Sequence, residues 1–434
     1  MKRATGFKVL VCGSSLSQLV GGMSNEESFS SRFGGCVSPG CGNGGIGSEK
    51  EGKCPWAEYD GLTPDYAANL ESAFEKEYPD IDLDIISTPW DKMHDRLIAF
   101  VAGKQPPDLS VIGTRWLLEL LDMGVVEPIE KWISKELFNN IDPALMEGKI
   151  KGVLYGLPVA AGTRLMYYRS DIIDKAPETF EEMLQIAQKI NKPEEKFYAV
   201  GMSGKKYVEL TEYAYYLFGN DGYFFEILPD GSYGKCTVNN EAGVGALTFM
   251  NDLVNTHKVT QPGVTAYRRD ELQDLFISGN LGIFMSGGFT ATLLEQRGAQ
   301  FSWSVAPMPH FEGKPQSTII ITDSIVLFKD SQAKEEAGKF LDFFYSDPWR
   351  LEFDKLVGFP PVTKSLANDP AFQKPVYQVM IQQIPGAKGW PLMPEWPECN
   401  DIIWDNIVAT FLGEKTPQKA MDDAAQEIDS IRGM

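Results

Sequence analysis

Histidine is scarce in this chain, with three among 434 residues: His94, His257 and His310. They lie far apart and none has a partner at ligand spacing, which argues against a histidine-based zinc site. Basic runs are equally short, none longer than Lys205-Lys206 or Arg268-Arg269, in a chain with 60 Asp and Glu against 40 Lys and Arg. Binding to a phosphate backbone needs clustered cations, so the net charge of −20 speaks against a nucleic-acid partner. The nucleophile and metalloprotease motifs G-x-S-x-G and H-E-x-x-H are missing, as is any Cys–His pairing. No repeat of fixed period and no sustained heptad pattern is present. Cysteine is rare beyond the first 54 residues, which hold Cys12, Cys36, Cys41 and Cys54; only Cys236 and Cys399 follow. A Cys36–Cys41 bridge in an oxidising compartment and incidental thiols in an unstructured segment are both compatible with that spacing.

What is present begins with an address-like N-terminus. Lys2, Arg3 and Lys8 precede Val9-Leu10-Val11 and a second apolar stretch from Leu16 to Val20, closed by Gly21-Gly22. Residues 1–23 therefore read as an export signal, too short and too polar for a stable membrane span. Met23 stands where a lipoprotein signal has its acylated cysteine. Residues 24–53 are rich in Gly and Ser and poor in large apolar groups, so they read as a flexible tether. Within them Gly47 to Lys53 has the G-x-x-x-x-G-K spacing of a phosphate loop. Cys54 replaces the Ser or Thr that would bind magnesium, and Pro55 interrupts the helix that should follow.

Beyond the tether, helices and short strands alternate. Thr63-Pro64 opens a helix with Tyr66, Leu70, Ala73 and Phe74 on one face. Ile81 to Ile86 and Leu109 to Ile112 read as buried strands, with helices over Asp91 to Val101 and Leu117 to Met123. Leu165 to Tyr168 and Leu281 to Met285 are further strands, and Thr179-x-x-Glu182 is a capping box. Ile319 to Phe328 is strand-rich; Ala333 to Tyr345 is amphipathic, with Ala337, Phe340, Leu341 and Phe344 on one face. Such alternation predicts α/β layers, and the length predicts two lobes.

Several pieces occur in a specific order. Thr88-Pro89-Trp90-Asp91 follows a strand, then Pro107-Asp108-Leu109 and Arg115-Trp116. Tyr155-Gly156-Leu157-Pro158 precedes Leu165-Met166-Tyr167-Tyr168-Arg169. Gly279-Asn280-Leu281-Gly282-Ile283-Phe284-Met285, Pro307-Met308-Pro309 and Gly358-Phe359-Pro360-Pro361 come later. Over roughly residues 56–431 this set resembles the family 1 extracellular solute-binding proteins, the group that includes maltose-binding protein. The resemblance implies an α/β, two-lobed, periplasmic-binding-protein-like (type II) fold with a hinge and a central ligand cleft. It further implies a sugar-binding receptor, monomeric, that delivers its ligand to the permease of an ABC importer. Such a receptor works outside the cell membrane, with no catalytic residue, cofactor or metal. The lobes are expected at 54–161 with 281–314, and at 162–280 with 315–434.

Sugars offer apolar faces and many hydroxyls, so aromatic rings and polar groups at strand ends are the candidates for contact. They are Trp56 and Glu58, Trp90 and Asp91, Asp108, Arg115 and Trp116, Tyr167 and Tyr168, Ser286 and Gly287, Asp323, and Trp390, Glu395 and Trp396. Strand alternation lets only one of Tyr167 and Tyr168 face a cleft. Asp108 has a second reading as a turn cap, and Asp323, inside an apolar run, as a hinge constraint. Trp132, Trp303, Trp349 and Trp404 read as packing residues. One departure stands out: the family's first strand should precede Trp56, where this chain reads Gly47 to Pro55 with no strand pattern. Two rival functions share the residues. A glycoside hydrolase would pair two of Glu58, Asp91, Asp323 and Glu395; an adhesion module would bind glycans on an open face without closing.

Overall fold

Among the described residues, apolar runs of strand length, separated by capped amphipathic helices, build two main sheets and two small two-stranded ones. A computed structural model describes residues 5–13, 64–206 and 210–434. The first sheet runs in the order Ile81–Pro89, Thr5–Gly13, Leu109–Gly113, Ile320–Phe328, Val126–Glu127, with Gly156–Thr163 also paired to Ile320–Phe328. Thr5–Gly13 is parallel to both neighbours, whereas Ile320–Phe328 is antiparallel to all of its partners. The second sheet runs Trp303–Ala306, Leu165–Arg169, Leu281–Ser286, Tyr198–Val200.

The expected elements are recovered with shifts of a residue or two: helices Pro64–Glu77, Trp90–Ala102 and Leu117–Asp122, and the amphipathic Lys334–Phe344. Thr179 Oγ1 accepts from the Glu182 amide at 3.1 Å and opens helix Phe180–Ile190, as its capping box predicts. Ala337, Phe340, Leu341 and Phe344 are all buried, and Phe74 meets Phe340 edge-on at 5.5 Å. A second core forms around Phe180, Tyr213, Tyr216 and Phe218.

Two expectations are corrected. The missing first strand is Thr5–Gly13, an interior strand drawn from the stretch that reads as an export signal. A nine-residue apolar segment has the length of either element, and only its pairing from Thr5↔Ile81 to Gly13↔Pro89 distinguishes them. A chain cut after Gly22 would lose this strand. Lobe membership also differs. Leu281–Ser286 and Trp303–Ala306, expected with the first lobe, bond into the second sheet. Ile320–Phe328, expected with the second lobe, lies within the first sheet, and Lys334–Phe344 packs on that sheet's side. Local pattern reports a strand but not which sheet it joins. The tether at 24–53, Cys36, Cys41, Trp56 and Glu58 lie outside the described residues.

Among the described residues the chain crosses between lobes three times, and one side chain ties the crossings together. Gln383, at the end of helix Pro375–Gln383, donates through Nε2 to Arg164 O at 3.0 Å and accepts at Oε1 from Met308 N at 2.8 Å. Arg164 lies between strands Gly156–Thr163 and Leu165–Arg169, and Met308 follows Trp303–Ala306. The Arg164 amide donates to Ile319 O at 3.1 Å. Backbone groups at a hinge are thereby satisfied without a sheet ladder.

Candidate functional site

Where strands Ile81–Pro89 and Leu109–Gly113 end, each turns directly into a helix that starts with tryptophan or arginine and tryptophan. Helix Trp90–Ala102 brings Trp90 and Asp91; the 3-10 turn Thr114–Trp116 brings Arg115 and Trp116. The Trp90 and Trp116 rings stack at 5.1 Å with 24° between planes. The Arg115 guanidinium lies 5.3 Å from the Trp90 ring and 4.9 Å from the Trp116 ring. Arg115 is 3% exposed, and its Nη1 is 3.9 Å from Asp323 Oδ1. A buried guanidinium needs both a counter-charge and polarisable faces, and it has both. Gly113 makes room for it, since a Cβ there would collide with the guanidinium. Asp323 comes to this place because Ile320–Phe328 pairs with Leu109–Gly113 in unbroken register, which sets Asp323 opposite Gly113. On its other edge the pairing with Gly156–Thr163 slips by one residue at this point, a bulge at Val159. Thr114 Oγ1 and Ser324 Oγ complete the corner at 2.7 Å.

The second lobe answers with helix Trp396–Phe411. Trp396 and Asn400 stand four residues apart, as do Asp401 and Asp405, so each pair lies on one side of the helix. Trp396 packs 4.8 Å from Phe224 and 5.5 Å from Trp390, so its ring is held by an aromatic box. Lys206 Nζ bridges Asp401 Oδ2 at 3.2 Å and Asp405 Oδ1 at 3.1 Å. Between the two walls lies a cavity of about 550 Å³, lined from the first lobe by Asp91, His94, Asp95, Arg115 and Trp116. From the second lobe it is lined by Lys206, Trp396, Pro397, Glu398, Asn400, Asp401, Ile402 and Asp405. At the rim Arg268 Nη1 reaches Asp91 Oδ2 at 3.2 Å. His94 Nε2 sits 2.7 Å from Glu119 Oε2, with its ring 5.0 Å from Trp116.

The sequence candidates therefore divide. Asp91, Arg115, Trp116 and Trp396 line one cavity, Trp90 and Asp323 back its first wall, and Trp390 backs the second. Tyr167 is fully buried and serves the chain itself: its hydroxyl donates to Gly287 O at 2.8 Å and accepts from Ala291 N at 3.2 Å. Tyr168, on the other strand face, packs against the second core. Ser286 accepts from Thr290 Oγ1 at 2.9 Å, and a Cβ at Gly287 would strike Phe289 and Arg164, so both serve the turn. Asp108 lies at the far end of its strand from Arg115 and accepts from Ser331 Oγ at 2.6 Å, the turn-cap reading. Glu395 is exposed at the start of its helix and is not among the residues lining the cavity. Trp303, Trp349 and Trp404 pack as expected: Trp303 against Tyr167, Trp349 against Tyr66, and Trp404 in the second core.

His94, Lys206, Asn400, Asp401 and Asp405 were not singled out by the sequence reading. The four-residue spacing of Trp396 with Asn400, and of Asp401 with Asp405, was the available signal for the last three. Two further carboxyls were also missed, the half-buried Glu147 and the buried Glu212. Glu147 accepts from Thr322 Oγ1, and burial pushes its carboxyl up against the opposing pull of that bond and of Arg115. Burial pushes Glu212 up to about 8, against a bond from the Ser203 backbone and the charges of Arg269 and Arg164. Among the described residues no group of three His, Cys, Asp or Glu could hold a metal ion, and no helix is long and apolar enough to cross a membrane.

Comparison with known proteins assigns this architecture. A protein of Brucella abortus (strain 2308), named as a binding protein without a stated ligand, is 32% identical over 383 residues. The match takes in 86% of this chain and 92% of that one. The galactooligosaccharide-binding protein of Bacillus subtilis (strain 168) is 26% identical across 82% of this chain and 84% of its own length. The maltose-bound MalE3 structure from T. maritima superposes with a TM-score of 0.76 at 23% identity, covering 85% of this chain and 96% of that one. The model of the bacterial extracellular solute-binding proteins matches residues 59–350, and with two main sheets, crossings between them and a cleft between the lobes, this chain belongs to that family.

Proposed function

We propose that the chain is the carbohydrate receptor of an ABC importer: it captures a sugar between its lobes and carries it to a membrane permease. One observation carries the reading. Trp116 of the first lobe and Trp396 of the second line the same cavity, with Asp91, Asn400 and Asp401 between them. Indole faces suit the apolar C–H surface of a pyranose, while carboxylates and an amide suit its hydroxyls. Relatives named for galactooligosaccharide, maltotriose and maltodextrin binding support the ligand class. Asp91, Arg115, Trp116, Asn400 and Trp396 are the proposed contacts, with Trp90, Asp323 and Trp390 holding them in place.

The mechanism is differential binding without bond chemistry. A ligand that touches both walls gains contacts only when the lobes are together, so it shifts the population toward the closed form. The clasp at Gln383 keeps the crossings in register while the lobes rotate. The closed form presents both lobes at once to the permease at the outer face of the membrane.

Calorimetric titration of the purified chain against a panel of neutral mono- and oligosaccharides tests the reading, with small-angle scattering on the best binder. The expected result is saturable binding to at least one sugar and a smaller radius of gyration on binding. Binding without compaction supports the open adhesion module instead, and release of a cleaved sugar from the panel supports the hydrolase.

A further inference from the structure

We infer that the cleft selects a carbohydrate free of negative charge and that Asn400 reads one of its hydrogen-bond donors, an inference that rests on the carbohydrate reading above and deepens it. Two independent observations carry it. The first is charge. Asp91, Asp95, Glu398, Asp401 and Asp405 line the cavity against two fixed cations, Arg115 and Lys206. Five to two exceeds the chain-wide 60 to 40, so the excess belongs to the cleft and not merely to an acidic protein. Each cation there already faces carboxylate. Arg115 faces Asp323 at 3.9 Å, Lys206 faces Asp401 and Asp405 at 3.2 and 3.1 Å, and the rim's Arg268 faces Asp91 at 3.2 Å. An acidic ligand would have to draw one of these cations from its partner while meeting the remaining carboxylates at short range, where screening is weak.

The second observation is an acceptor without a donor. Asn400 is 4% exposed and lines the cavity, yet its Oδ1 has no hydrogen-bond partner among the described residues. Its Nδ2 already leans toward Asp401 Oδ1 at 3.4 Å. A buried carbonyl left unpaired is costly, and the group that relieves it must bring a proton. A sugar hydroxyl or an ammonium does so; a carboxylate or phosphate oxygen does not. Closure around a donor-bearing ligand therefore satisfies an atom that the protein leaves open.

The test uses the full chain and matched derivatives of the neutral sugar that binds best: the parent, its C6 amine and its C6 carboxylate, titrated at low and high salt. The carboxylate should bind at least about tenfold more weakly than the parent at low salt, with the gap narrowing at high salt. The amine should bind no worse than the parent. The triple variant Asp91→Asn, Glu398→Gln, Asp401→Asn should bring the carboxylate to within about threefold of the parent. Asn400→Leu should weaken the parent at least about tenfold while its melting temperature holds or rises, because the unpaired acceptor is gone. A carboxylate that matches or exceeds the parent overturns the charge selection and leaves the carbohydrate reading intact. Unchanged affinity in Asn400→Leu removes Asn400 from the site. Binding of spermidine with no response to any sugar sinks the carbohydrate reading and keeps the charge selection. Silence from every probe overturns both.

Discussion

The two walls of the cleft hold their tryptophans by different physics. On the first wall, Trp90 and Trp116 are clamped by a buried cation, with Arg115 over both rings and Asp323 behind it. On the second wall, Trp396 is set by apolar neighbours, Phe224 and Trp390, while Asn400 is buried beside it and Asp401 and Asp405 stay exposed. One wall is rigid because a charge must not be left alone, the other because rings fill space. A ligand that stacks on both meets one electrostatic anchor and one hydrophobic anchor, and the walls should fail differently when damaged.

The largest difference is expected on the first wall. Arg115→Met removes the cation that faces Asp323, 4% exposed, so unfolding free energy should fall by about 3–5 kcal/mol in urea titration. Adding Asp323→Asn to that variant should recover part of the loss, since the buried negative charge goes with it. If Arg115→Met costs nothing, the electrostatic account of this wall is wrong.

The second lobe carries its own electrostatic signature, in Glu212. Its carboxyl is pushed by burial from 4.5 to about 8, so the folded chain holds the proton more tightly than the unfolded chain. That contribution is fully present below about pH 4.5 and is lost as pH rises to about 8. Glu212→Gln, isosteric and neutral, should flatten the fall in stability across this window by on the order of 4 kcal/mol, read by denaturation at several pH values. A slope that survives the substitution places the titration elsewhere.

Binding sharpens the comparison at smaller scale. Trp116→Ala and Trp396→Ala should each weaken sugar binding by about 1–3 kcal/mol in calorimetry. Trp116→Ala should also disturb Trp90, its stacked neighbour, so the double variant Trp90→Ala, Trp116→Ala should lose less than the sum of the two singles. Trp90→Ala and Trp396→Ala, on opposite walls, should add. The smallest effect belongs to the rim. Arg268→Gln breaks the contact to Asp91 across the cleft, and with both side chains partly exposed the change in affinity should be about 0.5–1 kcal/mol and shrink with salt.

The sequence determined the local half of this protein. Capping residues, proline at first helical turns and apolar spacing located the helices, and the ordered motifs around Trp90, Trp116 and Leu281 identified the two-lobed family. Those signals are legible because they act between residues a few positions apart. Tertiary structure alone decided that Thr5–Gly13 is an interior strand and that Leu281–Ser286 and Ile320–Phe328 belong to opposite lobes from those expected. It alone decided that Asp323 meets Arg115, which lies some two hundred residues away in the chain, and that Trp116 shares a cavity with Trp396. Strand pairing and the closing of a cleft are long-range choices, made by which apolar faces cover one another, and a linear pattern of residues does not contain them.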